Sequence, residues 1–130
     1  MSIVFDTEPL LIFYKGETGQ TKVRDLLIQV NEGKLKAYIN IINLTEFYYI
    51  LHRYNPTIAE EKTRTLKTFG IKTIPITDNT LWKQAAKTKS QTPMSLADSF
   101  AVATAKTLNS KLVIGKDTEF EGIDIDTIKI

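Results

Sequence analysis

Four acids stand where chemistry is easily done. Asp6, Glu46 and Asp117 each lie just beyond a short apolar run that reads as a buried β-strand, and Asp98 opens an alanine-rich helical segment. In an open parallel α/β sheet, the carboxyl ends of the strands face one crevice, and ligands bind there. Helices that start at that edge point their first turns into the same crevice. Four carboxylates far apart in sequence therefore converge. Two unit charges about 4 Å apart repel by about 4 kcal/mol at an effective dielectric of about 20. A cation must neutralise such a cluster, or some of its pKa values must rise. An all-oxygen donor set suits Mg²⁺ or Mn²⁺. The chemistry this implies is metal-assisted phosphodiester hydrolysis.

Each acid also has a local structural explanation. Asn43-x-x-Glu46 fits a helix-capping pattern. Ser95-x-x-Asp98 places Asp98 in a first helical turn, where a carboxylate meets the positive helix end. Asp6 and Asp117 could each cap a turn. The case for a site is joint, because four separate segments deliver an acid to one predicted sheet edge. Asp98 is the strongest single instance. Its helical face continues through Ala101, Val102 and Ala105, which is small and apolar, so the acid is expected to face the core side.

Other reactive residues carry less. His52 is the only histidine, so a metal-free ribonuclease with separate histidine acid and base is a poor fit. A Ser-His-Asp triad would depend on the same residue and has no nucleophile-elbow sequence. Trp82, Phe47, Tyr48, Tyr49 and Tyr54 could stack bases, but their helical placement favours packing in the core or at a dimer contact. Lys83 and Lys87 share a helix face and Arg53 ends another; Lys116, beside Asp117, is the best candidate for a cation next to the acids. Gly16-x-x-Gly19 lacks the Lys-Ser/Thr of a phosphate-binding loop.

The elements that must position the acids alternate. Strands are predicted at Ser2–Phe5, 35–39, 71–76, Lys111–Ile114 and 125–130. Between them, Thr7 is expected to cap a first helix with Pro9 in its first turn. Val23, Leu26, Leu27 and Val30 mark a second helix, and Leu44, Phe47, Tyr48 and Leu51 mark a third over 43–53. Thr57-x-x-Glu60 opens a fourth, Asp78 caps a fifth, and 96–108 forms the alanine-rich sixth. Such alternation predicts a three-layer α/β/α sandwich with a mostly parallel, five-stranded sheet.

The 130 residues fit one domain with its own core. The absence of cysteine excludes disulfides, thiolate zinc sites and cysteine nucleophiles, and suits a reducing cytoplasm. No apolar run approaches a membrane span, and Met1–Leu11 contains Asp6 and Glu8 and lacks a basic leader. The net charge is +2, but it is uneven. Asp117, Glu119, Glu121, Asp124 and Asp126 crowd one short segment, and the rest of the chain is basic in balance. A basic body around an acidic crevice suits a polyanion held over metal, although an ordinary solvated lysine surface gives the same count.

Four blocks together resemble the ordered signature of PIN-domain ribonucleases. They are Val4-Phe5-Asp6-Thr7, Asn43-Leu44-Thr45-Glu46-Phe47, Met94-Ser95-Leu96-Ala97-Asp98 with the helix running to Ala105, and Leu112-Val113-Ile114-Gly115-Lys116-Asp117-Thr118-Glu119-Phe120. Within the family the chain looks closest to the small VapC-type toxins. The resemblance implies that Asp6, Glu46, Asp98 and Asp117 are both the catalytic residues and the ligands of Mg²⁺ or Mn²⁺. It implies hydrolysis of RNA by metal-activated water, leaving 5′-phosphate and 3′-hydroxyl ends. It also implies a small antitoxin partner that covers the acidic site, and a homodimer. The chain departs from the pattern at Gly115, where the family often has Thr, and at Asn40 and Asn43, where it often has Ser and Thr. These changes bear on how a ligand or water is held rather than on the reaction type.

Two other readings stay open on sequence. A phosphate-accepting receiver domain shares the α/β class, but Asp6 and Glu8 imitate its acidic pair poorly. A catalytically silent PIN-like module that binds RNA or protein would keep the fold without the chemistry.

Overall fold

The computed structural model describes residues 1–130. Its centre is a strand that can be buried on both sides. Ile3, Val4 and Phe5 of β1 (Ser2–Phe5) are fully buried, because apolar residues occupy both alternating faces. β2 (Lys36–Asn40) pairs with β1, and β3 (Ile71–Ile74) pairs with β2. On the other side β4 (Lys111–Ile114) pairs with β1, and β5 (Thr127–Lys129) pairs with β4. The order is β3-β2-β1-β4-β5 and every pairing is parallel. The sheet is thus wholly parallel where the sequence predicts a mostly parallel one.

Parity sorts the residues into layers. Ile3, Phe5, Ala37, Ile39, Ile71 and Val113 face one side. There they pack on α1 (Thr7–Lys15), α2 (Gln20–Asn31), α3 (Ile41–Tyr54) and α4 (Pro56–Phe69). Val4, Leu112 and Ile114 face the other, against Ala101, Val102 and Ala105 of α6 (Leu96–Thr107). α5 (Asn79–Gln91) lies on α6 through Leu81, Ala85, Phe100 and Ala103. Every residue from Ala97 to Ala105 is buried. A helix buried all round must sit between layers, and its small side chains let the sheet and α5 approach from opposite sides.

Several boundaries differ from the sequence prediction, each for a local reason. α3 begins at Ile41, and its cap is Asn40, which accepts a hydrogen bond from Ile42 N at 2.8 Å. Asn40 also donates to Thr104 Oγ1 at 2.9 Å, so a tertiary partner fixes the earlier start. Thr7 is inside α1 rather than capping it, and donates to Asn43 O at 3.1 Å. Asn55 caps α4, with Pro56 in the first helical position, where its missing N–H costs nothing. β3 and β5 are shorter than predicted. Asp78 and Ser95 cap α5 and α6 through their side chains.

No helix is long and apolar enough to cross a membrane.

Candidate active site

The sheet order reverses at β1 and β4, so the loops that leave their carboxyl ends part and open a crevice. Asp6 is the first residue after β1, and its N–H donates to Val113 O at 3.0 Å, which locks that corner to β4. Asp117 follows β4 and caps a 3-10 turn over Thr118–Phe120, accepting from Glu119 N at 2.9 Å. Asp98 is the third residue of α6, whose Ser95 cap accepts from Asp98 N at 3.2 Å. Glu46 comes from the second turn of α3.

All four expected residues line one cleft of about 260 Å³. Two further acids join them, Glu8 and Glu119. The tightest group is not the expected four. Carboxylate oxygens of Asp98, Asp117 and Glu119 lie within 4.8 Å of one another, and Asp6 and Glu46 line the same cleft outside that trio. Glu119 belongs to the acidic segment and the fourth block of the sequence but is not counted among the expected site residues. It stands two positions after Asp117, and the 3-10 turn brings the two acids to the same cleft. There it accepts from Ser95 N at 3.3 Å, joining the β4 loop to the start of α6. Asn43 is also repositioned. It is fully buried inside α3 and donates to Ala97 O at 3.0 Å and to Asp6 Oδ1 at 3.4 Å.

The electrostatics follow from burial without a counter-ion. Asp6 is 3% exposed and Asp98 is 7% exposed. Burial raises the Asp6 carboxyl well above the usual range, and Asp98, Glu46 and Glu8 add to this, while the N–H of Thr7 opposes it. Burial likewise pushes Asp98 up to about 7, helped by the side chain of Glu119 and the charge of Asp117 and opposed by the Ser95 hydroxyl. The only salt bridges in the chain are Lys34–Glu32 and Lys62–Glu61, so no cleft acid is paired with a lysine or arginine. Lys116 is exposed and sits beside Asp117 in sequence without pairing to it. His52 is exposed in the last turn of α3, stacked on Tyr48, and does not line the cleft.

This donor set fits a hard divalent cation. It is all oxygen, it is anionic, two of the cleft's acids are buried, and none of them is paired with a lysine or arginine.

The fold has solved counterparts. A toxin–antitoxin complex from Klebsiella pneumoniae aligns with a TM-score of 0.74 at 19% identity, over 97% of this chain and 95% of that one. VapBC2 from Rickettsia felis, bound to a DNA fragment from its promoter, aligns with a TM-score of 0.76 at 13% identity, over 99% and 98%. Mycobacterium tuberculosis VapC20, described as a sarcin–ricin loop cleaving toxin, aligns with a TM-score of 0.74 at 15% identity, over 95% of each chain. At these identities the likeness is one of fold. No curated protein sequence matches this one. The PIN domain family model matches residues 3–126, nearly the whole chain, and the protein belongs to the PIN domain family.

Proposed function

We propose that this single PIN domain is a metal-dependent ribonuclease, a VapC-type toxin acting in the cytoplasm on an RNA phosphodiester. The observation that carries the reading is the uncompensated cleft, in which six carboxylates gather without one cationic partner. Asp6, Glu46, Asp98 and Asp117 would hold Mg²⁺ or Mn²⁺, with Glu119 as a further ligand. Bound divalent cations supply Lewis acidity to the phosphodiester and to water.

The chain's own groups do the rest. Asp6 and Asp98, whose carboxyls are pushed up, would have to release their protons to act as ligands of a cation. Ser95 N–H and Ser95 Oγ fix Glu119 and the first turn of α6 about one another. Exposed Lys116, the neighbour of Asp117 in sequence, would be the cation that meets a phosphate beside the acids. The cleft's own lining offers no cysteine, histidine or lysine as a nucleophile, which favours direct attack by water. The solved counterparts described as toxin–antitoxin complexes support a small antitoxin as partner, and a homodimer is in keeping with the family resemblance.

The test is cleavage of a structured RNA panel by purified protein with Mg²⁺, Mn²⁺ or EDTA, beside Asp98→Asn. Cutting that needs metal, is lost in the variant and leaves 5′-phosphate ends is the expected result. Folded, antitoxin-free protein that binds RNA equally with and without metal, and never cuts it, would establish a silent binding module instead.

A further inference from the structure

Five of the six glycines adopt positive φ, and Gly115 is the exception. Its backbone is one any residue could take, so the reason for glycine lies in its surroundings. A Cβ at Gly115 would stand 2.7 Å from Cγ and 2.8 Å from Oε1 of Glu8, and nearer still to Cδ. Any side chain at 115 therefore excludes Glu8 from where it lies. The same Glu8 oxygen accepts a hydrogen bond from Lys116 N at 3.2 Å. The carboxylate thus rests on the bare Cα of Gly115 and clasps the backbone one residue before Asp117.

Glu8 is rooted in the first turn of α1, two residues after Asp6. The clasp joins the segment that carries Asp6 to the loop that carries Asp117 and Glu119. Glu8 also lines the cleft, and its charge helps raise Asp6. A glutamate in a first helical turn is favourable wherever its side chain points. That benefit alone would need neither the contact with Lys116 N nor a glycine at 115.

We infer that Glu8 is a positioning residue of the acidic cleft: seated on Gly115, it fixes the Asp117 loop relative to Asp6 and so sets how tightly the cleft holds a divalent cation. This rests on the reading of the cleft as a metal site. The pair is a unit, since each residue has its role only in the presence of the other.

A double-mutant cycle tests it, with Mn²⁺ affinity read by calorimetry and stability read by urea unfolding. Glu8→Ala is expected to weaken Mn²⁺ binding by about tenfold, within the range of supporting groups around a metal site. Gly115→Ala is expected to do the same by swinging the flexible Glu8 side chain out of the way. The double variant should bind no worse than either single one. Glu8→Gln keeps the acceptor for Lys116 N and should restore most of the affinity, which loss of a generic helix-end charge would not allow. Multiplicative effects in the double variant, or wild-type affinity in Glu8→Ala, would overturn the inference while leaving the metal reading intact. Wild-type protein that binds no Mn²⁺ would overturn both.

Discussion

Nδ2 of Asn43 lies 3.4 Å from Oδ1 of Asp6, and both residues are buried. The same amide donates to Ala97 O at 3.0 Å, so one side chain from α3 holds the acid after β1 and the first turn of α6 together. A buried acid held by so few donors depends on each of them. Asn43→Ala should cost about 1–3 kcal/mol, the usual penalty for stranding buried polar groups. It should also weaken Mn²⁺ binding, because Asp6 loses its orientation. Urea unfolding and calorimetry on the same preparation would check both. Unchanged affinity in a folded variant would separate Asn43 from the site.

The raised carboxyls set the pH dependence of the metal-free protein. The Asp98 carboxyl is pushed up to about 7 in the fold from about 4 in the unfolded chain, and Asp6 is shifted in the same sense. Between those values the folded state holds more protons than the unfolded chain. Stability is therefore fully present at the acid side of the window and is lost as pH rises through it. The loss should be on the order of 2–4 kcal/mol, seen as a Tm that falls from about pH 5 to about pH 8 in EDTA. Mn²⁺ should reverse the trend, raising Tm more at the higher pH, where protons no longer compete for the ligands. Asp98→Asn should make the EDTA profile shallower, leaving the slope that buried Asp6 contributes, and remove most of the Mn²⁺ effect. A metal-free Tm that climbs over this range would contradict the electrostatics.

How much of this was readable beforehand depended on whether a residue's role had a period. Ile3, Val4 and Phe5 announce a doubly buried strand. Asp98 announces itself because Ala101, Val102 and Ala105 repeat its helical face. Glu119 has no such signature. Two residues after Asp117, it reaches the same cleft only because a 3-10 turn intervenes. Glu8 was visible as a neighbour of Asp6, but its seat on Gly115 is a contact between residues more than a hundred positions apart. Asn43, with Glu46 three residues on, reads as the cap of α3, whereas the residue that caps it is Asn40. Both are fully buried, and it is their distant partners, Thr104 for Asn40 and Asp6 for Asn43, that go with Asn40 capping α3 and Asn43 lying inside it.

Glu119 offers a direct check on the tight trio. Glu119→Gln retains an oxygen to accept from Ser95 N, so the fold should stand. It removes one negative charge from the group within 4.8 Å. Mn²⁺ affinity should fall at least about tenfold, equivalent to about 1.4 kcal/mol. The Asp98 carboxyl should return toward its ordinary value, since Glu119 is one of the groups holding it up. Carboxyl titration by NMR, with calorimetry, reads the two effects separately. If Asp98 titrates unchanged, the two acids are not electrostatically joined.

The last dependence runs through packing. Ala101 is fully buried one turn after Asp98, against Val4, Leu112 and Ile114 of the sheet. Adding bulk there forces α6 away from the strands, and Asp98 travels with it. Ala101→Leu should destabilise the fold by about 1–3 kcal/mol through overpacking. It should also loosen Mn²⁺ binding, although residue 101 is not among those lining the cleft. Ala101→Gly offers the contrast. It costs about 1 kcal/mol of helix propensity while leaving α6 free to sit where it does. A shared loss of stability with a loss of affinity only in the leucine variant would show that the spacing between helix and sheet, rather than stability in general, places Asp98 at the metal.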